Sequence, residues 1–172
     1  MSQELFTLYK LIILYMLDKV KFKMTYSQLS RFILEREYTN FITLQQLLSE
    51  LQDTELIEMD DSHTNRTYLT ITAEGRRTLS YFRGRIGKAI IADIDSYLAE
   101  NHLELKSEAA LTADYHRTAD GEYAAILSVR EQDKVLASVT LSVPTERLAE
   151  KVCENWYRKN QQIYKYLVGE LF

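Results

Sequence analysis

Four polar side chains stand close together in the chain: Thr43, Gln45, Gln46 and Ser49. A glutamine amide can pair with both N6 and N7 of adenine. Serine and threonine hydroxyls reach bases or phosphates alike. Further along, Asn65 and Arg66 offer an amide and a guanidinium suited to a minor groove or a phosphate, with His63 a weaker candidate beside them. This is the chemistry of reading a duplex. The chemistry of catalysis is missing: His63, His102 and His116 are scattered and none has a second ligand at metal spacing. No glycine-rich phosphate loop or nucleophile elbow occurs. The carboxylates form no pattern that separates an acid from a base. The expectation is a protein without catalytic residues, metal or cofactor.

Something must hold the duplex readers. Thr43 to Gln52 carries Leu44, Leu47, Leu48 and Leu51, one apolar stripe at helical spacing. Thr43 with Gln46 reads as a capping box at its start. With the leucines inward, Gln46, Ser49, Glu50 and Asp53 point out, and Thr43 and Gln45 flank the first turn. Glu50 and Asp53 would repel a phosphate. Next comes a short strand, Leu56 to Met59, then a polar stretch from Asp60 to Asn65. Arg66 to Ile71 alternates and is rich in β-formers, so it reads as the returning strand. Thr72 is the expected N-cap of the helix that follows.

A helix followed by a hairpin with a polar tip is the second half of a winged helix-turn-helix. The residues Tyr68, Ile71, Thr72, Gly75 and Leu79 resemble the wing-to-helix junction of bacterial MarR- and PadR-type regulators. That resemblance implies that the helix after the wing pairs across a two-fold axis. Over nearly its full length the chain resembles an uncharacterised bacterial family of winged-helix regulators with a C-terminal α+β domain. The resemblance implies no ligand, operator or catalytic residue.

The first half completes the pattern. Glu4 to Val20 reads as a helix apolar nearly all round, either a central core helix or one that also meets a partner subunit. Lys19, Lys21 and Lys23 then bracket a loop. Thr25 with Gln28 is a second capping box, opening a helix over Ser27–Glu37. After the wing, Leu79, Phe82, Ile86, Ile90, Ile94 and Leu98 predict one long helix from Ala73 to about Asn101, with Gly84 and Gly87 allowing a kink or close approach. Arg76, Arg77, Arg83, Arg85 and Lys88 give its start a basic face, either solvated or touching phosphate beside the wing.

Beyond Asn101 the period turns to two. Strands are expected over Leu103–Tyr115, Tyr123–Val129 and Val135–Val143, with Asp120-Gly121 turning the first pair. Thr145 to Phe172 reads as helix, either one kinked helix or two broken near Asn155–Asn160. Tyr115, Tyr123, Trp156, Tyr157, Tyr164 and Tyr166 either form a packed aromatic core or line a ligand pocket. Cys153 reads as a small core residue.

Bulk properties agree with a globular protein of 172 residues, 46% hydrophobic and 27% charged. One cysteine rules out a disulfide framework and suits a reducing compartment. The longest apolar run, Leu11 to Leu17, is too short for a bilayer, and no basic segment precedes it as in a signal peptide. A cytoplasmic protein without membrane contact is expected. Residues 1–88 carry 12 Lys and Arg against 11 Asp and Glu; residues 89–172 carry 9 against 14. The sign of that asymmetry suits a nucleic-acid-binding first half, although its size is small.

The sequence therefore predicts an α+β chain in three parts: a winged helix-turn-helix over 1–78, a linking and dimerising helix over 79–101, and a three-stranded antiparallel meander covered by helices over 102–172. The expected function is sequence-specific binding of double-stranded DNA by a homodimer, with recognition helices one duplex turn apart. The C-terminal part would set dimer geometry or sense a small-molecule or protein effector. The alternative is a winged-helix protein–protein interaction module.

Overall fold

The computed structural model describes residues 2–63, 66–131 and 134–172. It is an α+β structure of six α-helices and two three-stranded sheets among the described residues. Two compact units divide the chain. The first comprises residues 1–61 and 66–109, the second 62–65 and 110–172.

In the first unit α1 (Gln3–Lys19) starts at Ser2, whose hydroxyl accepts from the Leu5 N–H. Every residue from Leu11 to Leu17 is buried, so α1 is the central helix of this core. Strand β1 (Met24–Thr25) leads directly into α2 (Tyr26–Glu35). The expected capping box is present: the Thr25 hydroxyl accepts from Gln28 N–H, and the Gln28 amide oxygen accepts from Thr25 N–H.

Helix α3 (Phe41–Asp53) begins two residues before the expected Thr43. Asn40 caps it by accepting from the Thr43 N–H at 2.9 Å. An asparagine Oδ1 reaching the third helical N–H competes well with a threonine, and it moves the cap upstream. Leu44, Leu47, Leu48 and Leu51 are all buried, as their spacing required.

Both α2 and α3 end in Schellman motifs. Tyr38 N–H bonds to the Ile33 carbonyl and Glu37 N–H to that of Leu34; Leu56 N–H bonds to Leu51 and Glu55 N–H to Gln52. The residue in the left-handed region is a glutamate each time, Glu37 at φ 54° and Glu55 at φ 56°.

Strands β2 (Ile57–His63) and β3 (Arg66–Ile71) follow, and the sheet order is β1-β3-β2. Met24 pairs with Leu69 and Thr25 with Tyr68, antiparallel. The polar stretch Asp60–His63, expected to be loop, extends β2 instead. Thr72 caps α4 (Ala73–Phe82) as expected, and its hydroxyl also donates to the Glu55 carbonyl at 2.7 Å.

The single long helix expected from Ala73 to Asn101 is two helices. A 3-10 turn at Arg83–Arg85 and an extended Ile86 separate α4 from α5 (Lys88–Ala110). Helix α5 buries Ile94, Leu98 and Leu105 in the same core as α1, so its apolar stripe is consumed inside the unit. Side chains latch it: Tyr15 donates to Asp95 and Tyr38 to Asp93, both at 2.8 Å, and Arg36 pairs with Asp93 at 2.8 Å. The strand expected over 103–109 is the last part of α5.

The second unit holds β4 (Leu111–Arg117), β5 (Tyr123–Glu131), β6 (Lys134–Val143) and α6 (Glu146–Leu171). The strands form the expected antiparallel meander, β4-β5-β6. Ala113 pairs with Leu127, and Leu127 with Val139. Gly121 supplies the turn at φ +89°. Helix α6 is continuous, capped by Thr145, and buries Ala149, Cys153 and Trp156 against the sheet.

Gly75 sits where the end of α3 meets the start of α4. A β-carbon there would lie 2.1 Å from the Leu56 carbonyl oxygen, which already accepts from the Thr72 N–H. Gly75→Ala is expected to destabilise the first unit by about 2–4 kcal/mol in urea unfolding, because backbone must move. Glu55→Gly should do the reverse, stabilising by about 1 kcal/mol through relief of the left-handed strain.

Candidate nucleic-acid interface

The exposed side of α3 collects four of the six residues singled out above. Gln45, Gln46 and Ser49 are exposed and Thr43 is half-buried. The helix positions them through its leucine stripe: with four leucines fixed inward, the intervening residues must face out. Gln45 donates from Nε2 to the Tyr26 hydroxyl at 2.7 Å, and Gln46 to Glu50 at 3.3 Å. Bonds of this kind at an exposed surface exchange readily for a ligand's.

Glu50 is the acid that a phosphate would resent. Lys10 of α1 donates to its carboxylate at 2.6 Å and, with Gln46, holds its pKa below the ordinary carboxylate value. The charge of Glu50 is therefore already matched, and that of Asp53 lies at the far end of the helix, away from its first turns.

The helix also presents what the leucine pattern hid. Phe41 is 56% and Ile42 79% exposed at its first turn. Ile42 falls off the leucine stripe and Phe41 extends it one turn before Leu44, and the Asn40 cap upstream is the signal that places both on the helix. An apolar side chain here can meet a thymine methyl or another protein.

The other two candidates are placed differently. Asn65 lies outside the described residues. Arg66 is half-buried and donates from Nη1 to the Glu108 carbonyl in the last turn of α5. It has company there. Gln28 donates to the Leu105 carbonyl at 2.8 Å and the Glu108 carboxylate at 3.0 Å, Tyr68 donates to the Ala109 carbonyl at 3.2 Å, and Arg31 pairs with Glu108 at 3.3 Å. Arg66 and Tyr68 satisfy carbonyls that a helix C-terminus leaves open, and Gln28 and Arg31 hold the Glu108 carboxylate beside them. His63, at the end of β2, has its Nδ1 2.7 Å from an Asp114 carboxylate oxygen.

The basic residues of α4 and of the turn that follows it are exposed. Arg77 pairs with Glu74 at 2.6 Å, Arg76 donates to the Ile71 carbonyl, and Arg83 stacks on Tyr15 with its guanidinium carbon 5.1 Å from the ring centroid. Between 75 and 92 no acidic residue interrupts them.

Trp156 is buried, with Tyr115 and Tyr157 packed against the same core, while Tyr166 is 67% exposed. Trp156 donates to the Ser128 carbonyl at 3.3 Å. Among the described residues no group of three His, Cys, Asp or Glu side chains could hold a metal ion, and no helix is long and apolar enough to cross a membrane.

The family comparison is specific about extent. A family model described as DUF4364, a domain of unknown function, matches residues 9–171, and the chain belongs to that family. No curated protein and no solved structure matches it.

Cys153 is fully buried, and burial, helped by the charge of Asp114, pushes its thiol up to about 11. At pH 8 only about one thiol in a thousand would be thiolate even if reached. A thiol-reactive dye should leave the native protein unlabelled at pH 8 and label it promptly in urea.

Proposed function

We propose that residues 3–79 of this DUF4364 protein form a winged helix that binds double-stranded DNA, and that the chain acts as a homodimeric transcription regulator. The observation that carries the reading is the exposed polar side of α3. Gln45, Gln46 and Ser49 line its exposed surface, while the same helix buries its leucines. The order α1-β1-α2-α3-β2-β3 supports it, since a helix ahead of a hairpin is the arrangement that enters a major groove. The Lys10–Glu50 pair supports it too, because it mutes one of the two acids, Glu50 and Asp53, on the outward side of the helix. The role foreseen for Arg66 passes to other cations: its guanidinium closes the end of α5, and the exposed Arg76, Arg77 and Arg85 are the better backbone contacts.

A second reading has its own observation. Phe41 and Ile42 stand in the open on the same helix, and large exposed apolar side chains mark protein interfaces more often than DNA ones. In that reading α3 docks a protein, and the glutamines are the rim of the patch.

Fluorescence anisotropy with duplex fragments from the gene's own promoter separates the two. The DNA reading expects affinity that falls steeply between about 50 and 200 mM salt. Gln46→Ala with Ser49→Ala should weaken binding by about tenfold or more without changing stability, since both side chains are exposed. Absence of binding to every fragment at low salt would overturn it. Phe41→Asp with Ile42→Asp would then be expected to abolish capture of a protein partner.

A further inference from the structure

The second sheet has two edges, and they differ. Strand β4 carries Asp114, His116 and Arg117, and His63 lies against Asp114. Charge on an edge keeps other strands away. Strand β6 has no such guard. From Val135 to Val143 no residue is charged, and Pro144 comes only after the strand has ended. It pairs with β5 on one side, and among the described residues no strand pairs with the other. Its outward N–H and C=O groups therefore stand open to a further strand. The inner side of β6 is short of cover as well. Leu141 is 43% exposed, whereas its β5 partner Ala125 is fully buried in the core with Cys153 and Trp156.

The residues of β6 say which strand fits. Its ladder to β5 shifts register between Val129 and Arg130, and from Ala137 to Val143 it is regular. Over that stretch Ala137, Val139, Leu141 and Val143 lie on the inner side, and Ser138, Thr140 and Ser142 on the outer. A second copy of the stretch, turned about a two-fold axis beside Thr140, runs antiparallel to the first. Thr140 then meets Thr140, Ser138 meets Ser142, Val139 meets Leu141 and Ala137 meets Val143. Every inner residue faces an apolar one and every outer residue faces a hydroxyl, and both kinds of cross-strand pair stabilise a ladder. Opposed residues differ by an even number, so the outward backbone groups of one copy meet those of the other. Backbone, apolar and hydroxyl contacts thus belong to one register. With no charge in the stretch, nothing in it repels its own copy. A surface complementary to itself in this way is the mark of an isologous interface.

We propose that β6 is a self-association edge, on which a second copy of this chain adds its own β6 antiparallel, centred on Thr140, so that the two meanders join as one six-stranded sheet. The proposal deepens the homodimer of the reading above and rests on it for its role in regulation. It is tested without DNA, so either can fail alone. Seven residues at about 3.4 Å each give a seam about 24 Å long. Such a seam is at the small end of stable interfaces, and a dissociation constant of roughly micromolar order follows.

Sedimentation velocity over a concentration series of the full chain tests it. A monomer–dimer equilibrium is expected. Thr140→Lys and Thr140→Glu each set like charges directly opposite at the axis, and each should weaken self-association by about threefold to tenfold. Their far-UV circular dichroism should not change, because Thr140 is exposed in a single chain. Mixing the two variants should restore pairing, because the opposed charges then differ in sign. Thr140→Cys should cross-link to its own copy under oxidised glutathione, and Ser138→Cys, which lies opposite Ser142, should not. Cys153 is buried and gives no competing bridge. A monomer at about 100 µM overturns the proposal. So does a dimer indifferent to both charges at Thr140, a pair of variants not rescued by mixing, or a Thr140→Cys chain that cross-links no faster than Ser138→Cys. Species that keep growing beyond the dimer overturn it too, since a two-fold seam closes.

Discussion

The first unit hangs on one side-chain amide. The Gln28 side chain is 1% exposed and makes three hydrogen bonds. Its oxygen accepts from Thr25 N–H and closes the start of α2; its nitrogen donates to the Leu105 carbonyl and the Glu108 carboxylate and closes the end of α5. A buried amide left half-satisfied costs far more than a surface one, so these three bonds stand or fall together. Arg31, Arg66 and Tyr68 complete the arrangement around the same helix end. The polar side chains here hold a fold, and that is why Arg66 is occupied where the sequence reading had it reaching out to a duplex.

The same anchoring accounts for the apolar stripe that follows β3. The stripe running from Leu79 to Leu98 reads in the sequence as one helix, with Gly84 and Gly87 allowing a kink. The turn at Arg83–Arg85 redirects the chain, and α5 lays Ile94, Leu98 and Leu105 into the core built on α1. Among the described residues the second half of α6 keeps Ile163, Val168 and Leu171 exposed.

Much of the fold was legible because short-range chemistry decided it. Thr25 and Gln28 announce a capping box, Thr72 a cap, Arg66 to Ile71 a strand with the ends it has, and four leucines the inward face of α3. Three features were not legible. His102 to Ala110 alternates like a strand, yet Leu, Glu, Lys and Ala are strong helix formers, and a helix already under way continues through them. Asp60 to His63 looks like a loop, but strand pairing overrides weak β-propensity. Glu37 and Glu55 adopt a left-handed backbone where glycine or asparagine is the usual sign. For the candidate site, the leucine stripe foretold which residues of α3 face out. It carried no sign of Lys10 beside Glu50, forty residues apart in sequence, nor of the bonds that occupy Arg66.

The two tyrosine–aspartate latches have an electrochemical side. Burial, reinforced by the neighbouring aspartate, raises the Tyr38 phenol to about 12, and the same two causes raise Tyr15. A phenol raised in the folded state favours folding below the ordinary tyrosine value near 10 and loses that advantage as pH climbs through the raised one. Strong base is therefore a lever on α5 in particular. The appearance of phenolate absorbance would time the moment when that helix lets go of its neighbours.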